Sequence, residues 1–236
     1  MTIKDLQHII QTKYGSPIKE NPELIKLADL LRNAPFYCNS NSGTQCNRVC
    51  TWHTFAPLNN KDAPSDLHPF QREVISDLET HKRISVLKCR NAGLSQLALT
   101  YALHLSLSKQ IPGNYIFITG VGQILSKSLA LRVRAMCAEK RIFFEDNLAT
   151  LTFPNNIRWS FFPSDSKAYR GQSDIVYLCA DELTEFEDSQ QWRASIDTFA
   201  IKNKGAQMLL ITTPSYNLNS LAYKLFQEPE DKSLYK

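Results

Sequence analysis

Apolar positions along the chain fall into three regimes. In the first 33 residues they recur at helical spacing. Leu24, Ile25, Leu27, Leu30 and Leu31 form a stripe behind an Asn21-Pro22 start, which predicts a helix packed against a core. Residues 34–66 lose that period and are rich in Asn, Ser, Pro and Cys. So long a stretch without a pattern does not belong inside a compact domain, which predicts a separate small unit, or its linker, over 1–66 and a main domain over 67–236.

From His68 onward, short apolar runs alternate with helical segments. Ile84–Lys88 reads as a strand, followed by a small-residue turn and an apolar helix over Ser95–Ser106. Tyr115–Thr119 is a second strand and Gln123–Ala138 a second long helix. Leu151–Phe153 and Ile157–Phe162 flank Pro-Asn-Asn and predict a hairpin. Ile175–Ala180 and Met208–Thr212 are two further strands, with a polar helical stretch between them. Continuous apolar strands separated by helices point to an α/β domain with a mostly parallel sheet and helices on both faces.

Composition narrows the class. The 236 residues are 43% hydrophobic and 21% charged, ordinary globular usage that excludes general disorder. No apolar run reaches the ~18 residues of a membrane helix, and MTIKDLQHII lacks the apolar core of a signal peptide. The net charge of +4 is compatible with a polyanionic partner and demonstrates none. Six cysteines without an export signal argue against a disulfide framework, and Cys89, Cys137 and Cys179, in or beside apolar segments, read as small core residues.

Ligands of such sheets bind beyond the carboxyl ends of the strands, so the residues that follow each strand carry the chemistry. After the first come Lys88-Cys-Arg-Asn-Ala-Gly-Leu-Ser95 and a helix. This is a variant phosphate loop: Gly93 and Ser95 fit the usual glycine and magnesium-binding hydroxyl, Leu94 stands where a lysine is usual, and Lys88 and Arg90 offer cations from the front of the loop. Taken alone, a Gly-Leu-Ser turn also serves as a plain helix cap. The strand Ile175–Ala180 ends in Asp181-Glu182, an acidic pair suited to orienting Mg²⁺ and polarising a water, although acidic residues also cap helices. The last strand ends in Thr212-Thr213-Pro214, hydroxyls placed to sense a γ-phosphate or simply to form a turn. Upstream, the amide of Gln71 suits an adenine edge.

Together these segments resemble the ATPase domain of the large terminase subunit, the motor that packages DNA into viral capsids. The resemblance runs from about His68 to Phe226, roughly two thirds of the chain. It comprises HPFQREVI as the adenine motif, KCRNAGLS as Walker A, YRGQSDIVYLCADE with its Arg170-Gly171 pair leading into Walker B, and ITTPS as the coupling motif. It implies a RecA-like P-loop NTPase fold, with Lys88, Arg90, Asn91, Ala92, Gly93, Leu94 and Ser95 around the phosphates and Ser95 and Asp181 on Mg²⁺. It further implies Glu182, Arg90 and Lys88 in catalysis, Gln71 on adenine, and Thr212 and Thr213 in coupling. Double-stranded DNA, a portal protein, a small terminase subunit, a ring of copies and the host cytoplasm come with it. The chain stops soon after the coupling motif, and no carboxylate cluster follows, so no nuclease activity is expected. Lys127, Arg132, Arg134, Lys140 and Arg141, in or after one helix, are candidate contacts for DNA phosphates or a solvated helix face.

Cys38, Cys46, Cys50 and His53 hold the inventory of a closed structural zinc site in a polar stretch that cannot build its own core. Three unrelated thiols and a surface histidine are the alternative. Two rival functions stay open: a helicase-like DNA-translocating ATPase, and a non-catalytic, zinc-containing DNA-binding or assembly module with a decayed nucleotide fold, for which Leu94 speaks.

Overall fold

The computed structural model describes residues 31–37, 50–56, 66–120, 122–142, 144–147, 150–164, 171–186, 205–214 and 216–227. Seven strands form one sheet: β1 (Arg83–Leu87), β2 (Gly113–Thr119), β3 (Glu145–Asn147), β4 (Thr150–Phe153), β5 (Ile157–Pro163), β6 (Ile175–Asp181) and β7 (Gln207–Thr212). Their order is β1-β7-β6-β2-β5-β4-β3. The first five in that order pair in parallel, and β4 and β3 extend the edge antiparallel. The hairpin around Pro-Asn-Asn is therefore present, with Asn155 and Asn156 both at positive φ as such a turn requires.

The helices are α1 (Thr51–Phe55), α2 (Pro69–Thr80), α3 (Leu94–Leu103), α4 (Gln123–Glu139) and α5 (Leu221–Gln227). A π-turn over His104–Ser108 extends α3. Strand alternation divides the core in two. Tyr115, Phe117, Tyr177, Cys179 and Ile211 face one side and pack with residues of α1 to α4. Ile116, Ile118, Leu178, Ala180 and Leu210 face the other, beneath Leu183, Phe186, Leu221 and Ala222. Both faces are apolar, which explains why the parallel strands read as unbroken hydrophobic runs.

Leu31, Phe36, Cys50, Trp52 and Phe55, from the stretch expected to form a separate unit, share the first of these cores. Thr51 Oγ1 lies 3.0 Å from both His104 Nδ1 and Ser108 Oγ. Burial, with Lys109 nearby, lowers the His104 pKa to about 4, so this histidine is a neutral structural partner. The cysteines divide differently from expectation. Cys137 and Cys179 are buried, as expected, but Cys89 is exposed, because it lies past the end of β1 where the chain leaves the sheet. The stripe upstream of Leu31 and most of the polar stretch before β7 lie outside the described residues.

Candidate functional site

The site forms where the loop after β1 meets the ends of β6 and β7. Asn91 (φ 62°) and Gly93 (φ 73°) both adopt the left-handed conformation, which turns the chain sharply into α3. Glycine at 93 suits the left-handed backbone, and its missing side chain leaves room for the Gln71 amide. The φ value disfavours any side chain, and a Cβ there would sit 2.9 Å from Gln71 Nε2. The first amides of the ten-residue α3 lack intrahelical partners and face the loop, the usual setting for an anion.

Leu94 is 1% exposed and belongs to the core. The position of the customary loop lysine is therefore an apolar anchor for α3, and the cation comes from the front of the loop. Lys88 is held there by the sheet: its backbone N–H donates to Thr212 O at 2.8 Å, one step beyond the β1–β7 pairing. Its side chain is only 8% exposed, with Nζ 2.9 Å from Glu182 Oε1 and 4.0 Å from Asp181 Oδ1.

Asp181 ends β6 and is buried. Its Oδ2 accepts a short hydrogen bond from Ser95 Oγ, and its Oδ1 accepts the Glu182 backbone N–H at 3.0 Å. Burial raises its carboxyl pKa above the ordinary value, against the opposing pull of Ser95 and Lys88. Glu182 follows with φ 58° and ψ 52°, a left-handed conformation that is uncommon for a glutamate. Its Oε2 accepts from Thr213 Oγ1 at 3.1 Å. Such backbone strain persists only where the surroundings fix it, here Lys88, Thr213 and the Asp181 carboxylate.

Strand order makes this cluster possible. β7 lies between β1 and β6, so Val86, Ile211 and Asp181 stand side by side, and the Lys88 side chain spans the end of β7 to reach the acidic pair. Lys88, Ser95, Asp181, Glu182 and Thr213 thus form one hydrogen-bonded set. Thr212 is buried, with its hydroxyl turned onto Thr213 O at 3.2 Å. Arg90 and Asn91 are exposed on the loop, and Ala92 offers its carbonyl to Gln71. Gln71 is buried and its amide is engaged at both ends. Oε1 accepts from His68 N at 3.0 Å, and Nε2 donates to Ala92 O at 3.0 Å. It braces the back of the loop that follows β1, a role that spacing along the chain does not suggest. The tip of β2, Thr119-Gly120, forms a wall of the site that also went unread, since a Thr-Gly pair after a strand has no distinctive signal.

Of the expected zinc ligands, Cys38 and Cys46 lie outside the described residues. Cys50 Sγ lies 3.2 Å from His53 Nδ1, and His53 Nε2 lies 3.3 Å from Asp66 Oδ1. Among the described residues no group of three or more His, Cys, Asp or Glu side chains is placed to hold a metal, so zinc finds no support there. Of the basic residues around α4, Lys127, Arg132 and Arg141 are exposed. Arg134 instead grips Asp146 with two nitrogens, at 2.9 and 2.6 Å, and Lys140 pairs with Glu139 at 2.8 Å. Among the described residues no helix is long and apolar enough to cross a membrane.

No family model matches the chain, and no curated protein matches it. Solved structures do. The large terminase of bacteriophage HK97 superposes with a TM-score of 0.60 at 16% identity, over 72% of this chain and 38% of that one. The large terminase of a thermophilic bacteriophage gives 0.50 at 12% identity, over 64% and 40%. The large terminase ATPase domain of a Thermus phage gives 0.48 at 17% identity, over 64% and 66%. This chain has the large-terminase ATPase fold. It is an α/β P-loop NTPase architecture, and the chain spans about two fifths of the length of the first two terminases. At such low identity the shared fold does not transfer side-chain roles, which rest on the geometry of Lys88, Ser95, Asp181 and Glu182 described above.

Proposed function

We propose that this chain is the ATP-hydrolysing motor domain of a viral DNA-packaging terminase, coupling hydrolysis to movement of duplex DNA. One observation carries the reading: Lys88, Ser95, Asp181 and Glu182 converge at the carboxyl edge of the sheet, beside a loop that turns into a helix N-terminus.

The donor set fits a magnesium–nucleotide. Ser95 and Asp181 are hard oxygen donors, and a carboxylate buried as Asp181 is gains from a cation. These two residues would hold Mg²⁺, which when bound would neutralise phosphate charge. The loop amides and Lys88 grip the phosphates. Glu182 takes a proton from water as its oxygen attacks the γ-phosphorus, while the bond to the β-phosphate oxygen breaks and ADP leaves. Arg90, or an arginine of a neighbouring copy, offsets charge spreading over the transferring group. Thr213, bonded to Glu182, links loss of phosphate to movement at the end of β7. Lys127 and Arg132 are exposed cations available to DNA phosphates. The working setting is a ring of copies with portal protein and small subunit in the host cytoplasm, and no DNA cleavage is assigned to these residues.

The test is nucleotide binding and phosphate release by the purified chain with Mg²⁺ and ATP, with and without linear duplex. Hydrolysis is expected to rise with duplex, without strand separation. Glu182→Gln should lower turnover by ~10²–10⁴-fold while nucleotide still binds. Unchanged turnover in that variant overturns the reading, and strand separation assigns the chain to the helicase-like alternative.

A further inference from the structure

The carboxyl edge of the sheet continues past Asp181 to β2. β2 and β6 pair with Ile118 opposite Ala180, so the next step sets Thr119, the last residue of β2, beside Asp181. Alternation gives Thr119 the same face as Tyr115 and Phe117. That face is covered by α3, from whose first turn Ser95 reaches Asp181. Thr119 is 3% exposed, and its Oγ1 has no hydrogen-bond partner among the described residues. The next residue, Gly120, packs against the acidic turn: a Cβ on it would lie 2.9 Å from Glu185 Cβ and 3.7 Å from Glu182 Cβ.

Folding does not explain this hydroxyl. A buried O–H without a partner is unfavourable, and valine fills the same volume without one. Other buried hydroxyls without partners, Ser85, Ser160 and Tyr177, lie inside strands, whereas Ser164 follows β5, one strand further from Asp181. Thr119 stands at the strand end next to the acidic pair. A carboxylate only accepts, while a hydroxyl donates or accepts, so a water shared between them is fixed in orientation in a way the carboxylates alone do not achieve.

Building on the ATPase reading above, we propose that Thr119 is a positioning residue whose hydroxyl holds an ordered water against Asp181 and Glu182 in the nucleotide-loaded protein. The experiment compares Thr119→Val and Thr119→Ser with the parent chain. Without nucleotide, Thr119→Val should melt at or above the parent temperature, because the unpaired hydroxyl is gone. The rise in melting temperature on adding Mg²⁺ and a non-hydrolysable ATP analogue should shrink. The kcat should fall at least about tenfold. Thr119→Ser should restore both. A parent-like kcat and a parent-like ligand-induced shift in Thr119→Val overturn the inference, as does a lower melting temperature without nucleotide. The ATPase reading fails separately, through absence of analogue binding to the parent chain or parent-like turnover in Glu182→Gln.

Discussion

Lys88 Nζ and Glu182 Oε1, carried by strands that have another strand between them, lie 2.9 Å apart. The other Glu182 oxygen is held by Thr213. Under the proposed ATPase reading, an arriving γ-phosphate competes for the same ammonium and leaves the glutamate on Thr213 alone, so the phosphate grip and the release of the base would be one event at one cation. Lys88→Met should raise the Kd for ATP at least ~10-fold, equivalent to ~1.4 kcal/mol. Titration with a fluorescent ATP analogue checks this, and an unchanged Kd would remove Lys88 from the phosphate site.

Leu94 tests whether the loop can be returned to the commoner pattern. Its side chain is in the core, so Leu94→Lys should not gain a phosphate ligand. It should lose apolar burial and force an ammonium into or out of a packed face, at a cost of ~3–5 kcal/mol. Urea unfolding measures the loss. A stable variant with tighter ATP binding would contradict the assignment of this position to the core.

Gln71 distinguishes a brace from a base reader. Gln71→Ala leaves the Ala92 carbonyl and the His68 amide without their partner, at a cost of ~1–3 kcal/mol. Because the amide serves the loop, affinities for ATP and GTP should fall by the same factor. Parallel titrations of both nucleotides decide, and a loss confined to ATP would assign the amide to adenine.

Asp181 sets a pH dependence whose sign follows from burial. Its folded pKa is raised, so the neutral carboxyl is favoured in the fold. The stability it contributes is complete below the unfolded carboxylate range and is lost as pH rises through the raised value. At neutral pH its ionisation opposes folding. Asp181→Asn should therefore raise the melting temperature of the nucleotide-free chain at pH 7 while abolishing Mg²⁺-dependent nucleotide binding. In the parent, kcat/KM for ATP should fall on the acid side as Asp181 of the nucleotide-free chain protonates. Differential scanning calorimetry and a pH–rate profile test the two halves independently.

Much of this was legible along the chain. The apolar runs that became β2, β6 and β7 are visible because both of their faces are buried, whereas β1, at the sheet edge with only Ile84 buried, is visible from its run of β-branched and apolar residues. The turn into α3 is visible because a glycine before a helix favours the left-handed conformation that position 93 adopts. β3 was missed because Glu145, Asp146 and Asn147 are all exposed on an edge and carry no hydrophobic period. Cys89 was misread because an apolar neighbour in sequence is not a neighbour in space once the strand has ended.

Local chemistry thus specified the kinds of element and most of the reactive groups, since propensity, turn geometry and apolar spacing act over a few residues. Which strands became neighbours was a different matter. The insertion of β7 between β1 and β6, the meeting of Lys88 with Glu182, the burial of Leu94 and the position of Thr119 beside Asp181 depend on contacts between residues far apart in the chain. Such contacts are selected by the packing of two apolar faces at once, and no window of neighbouring residues contains that information.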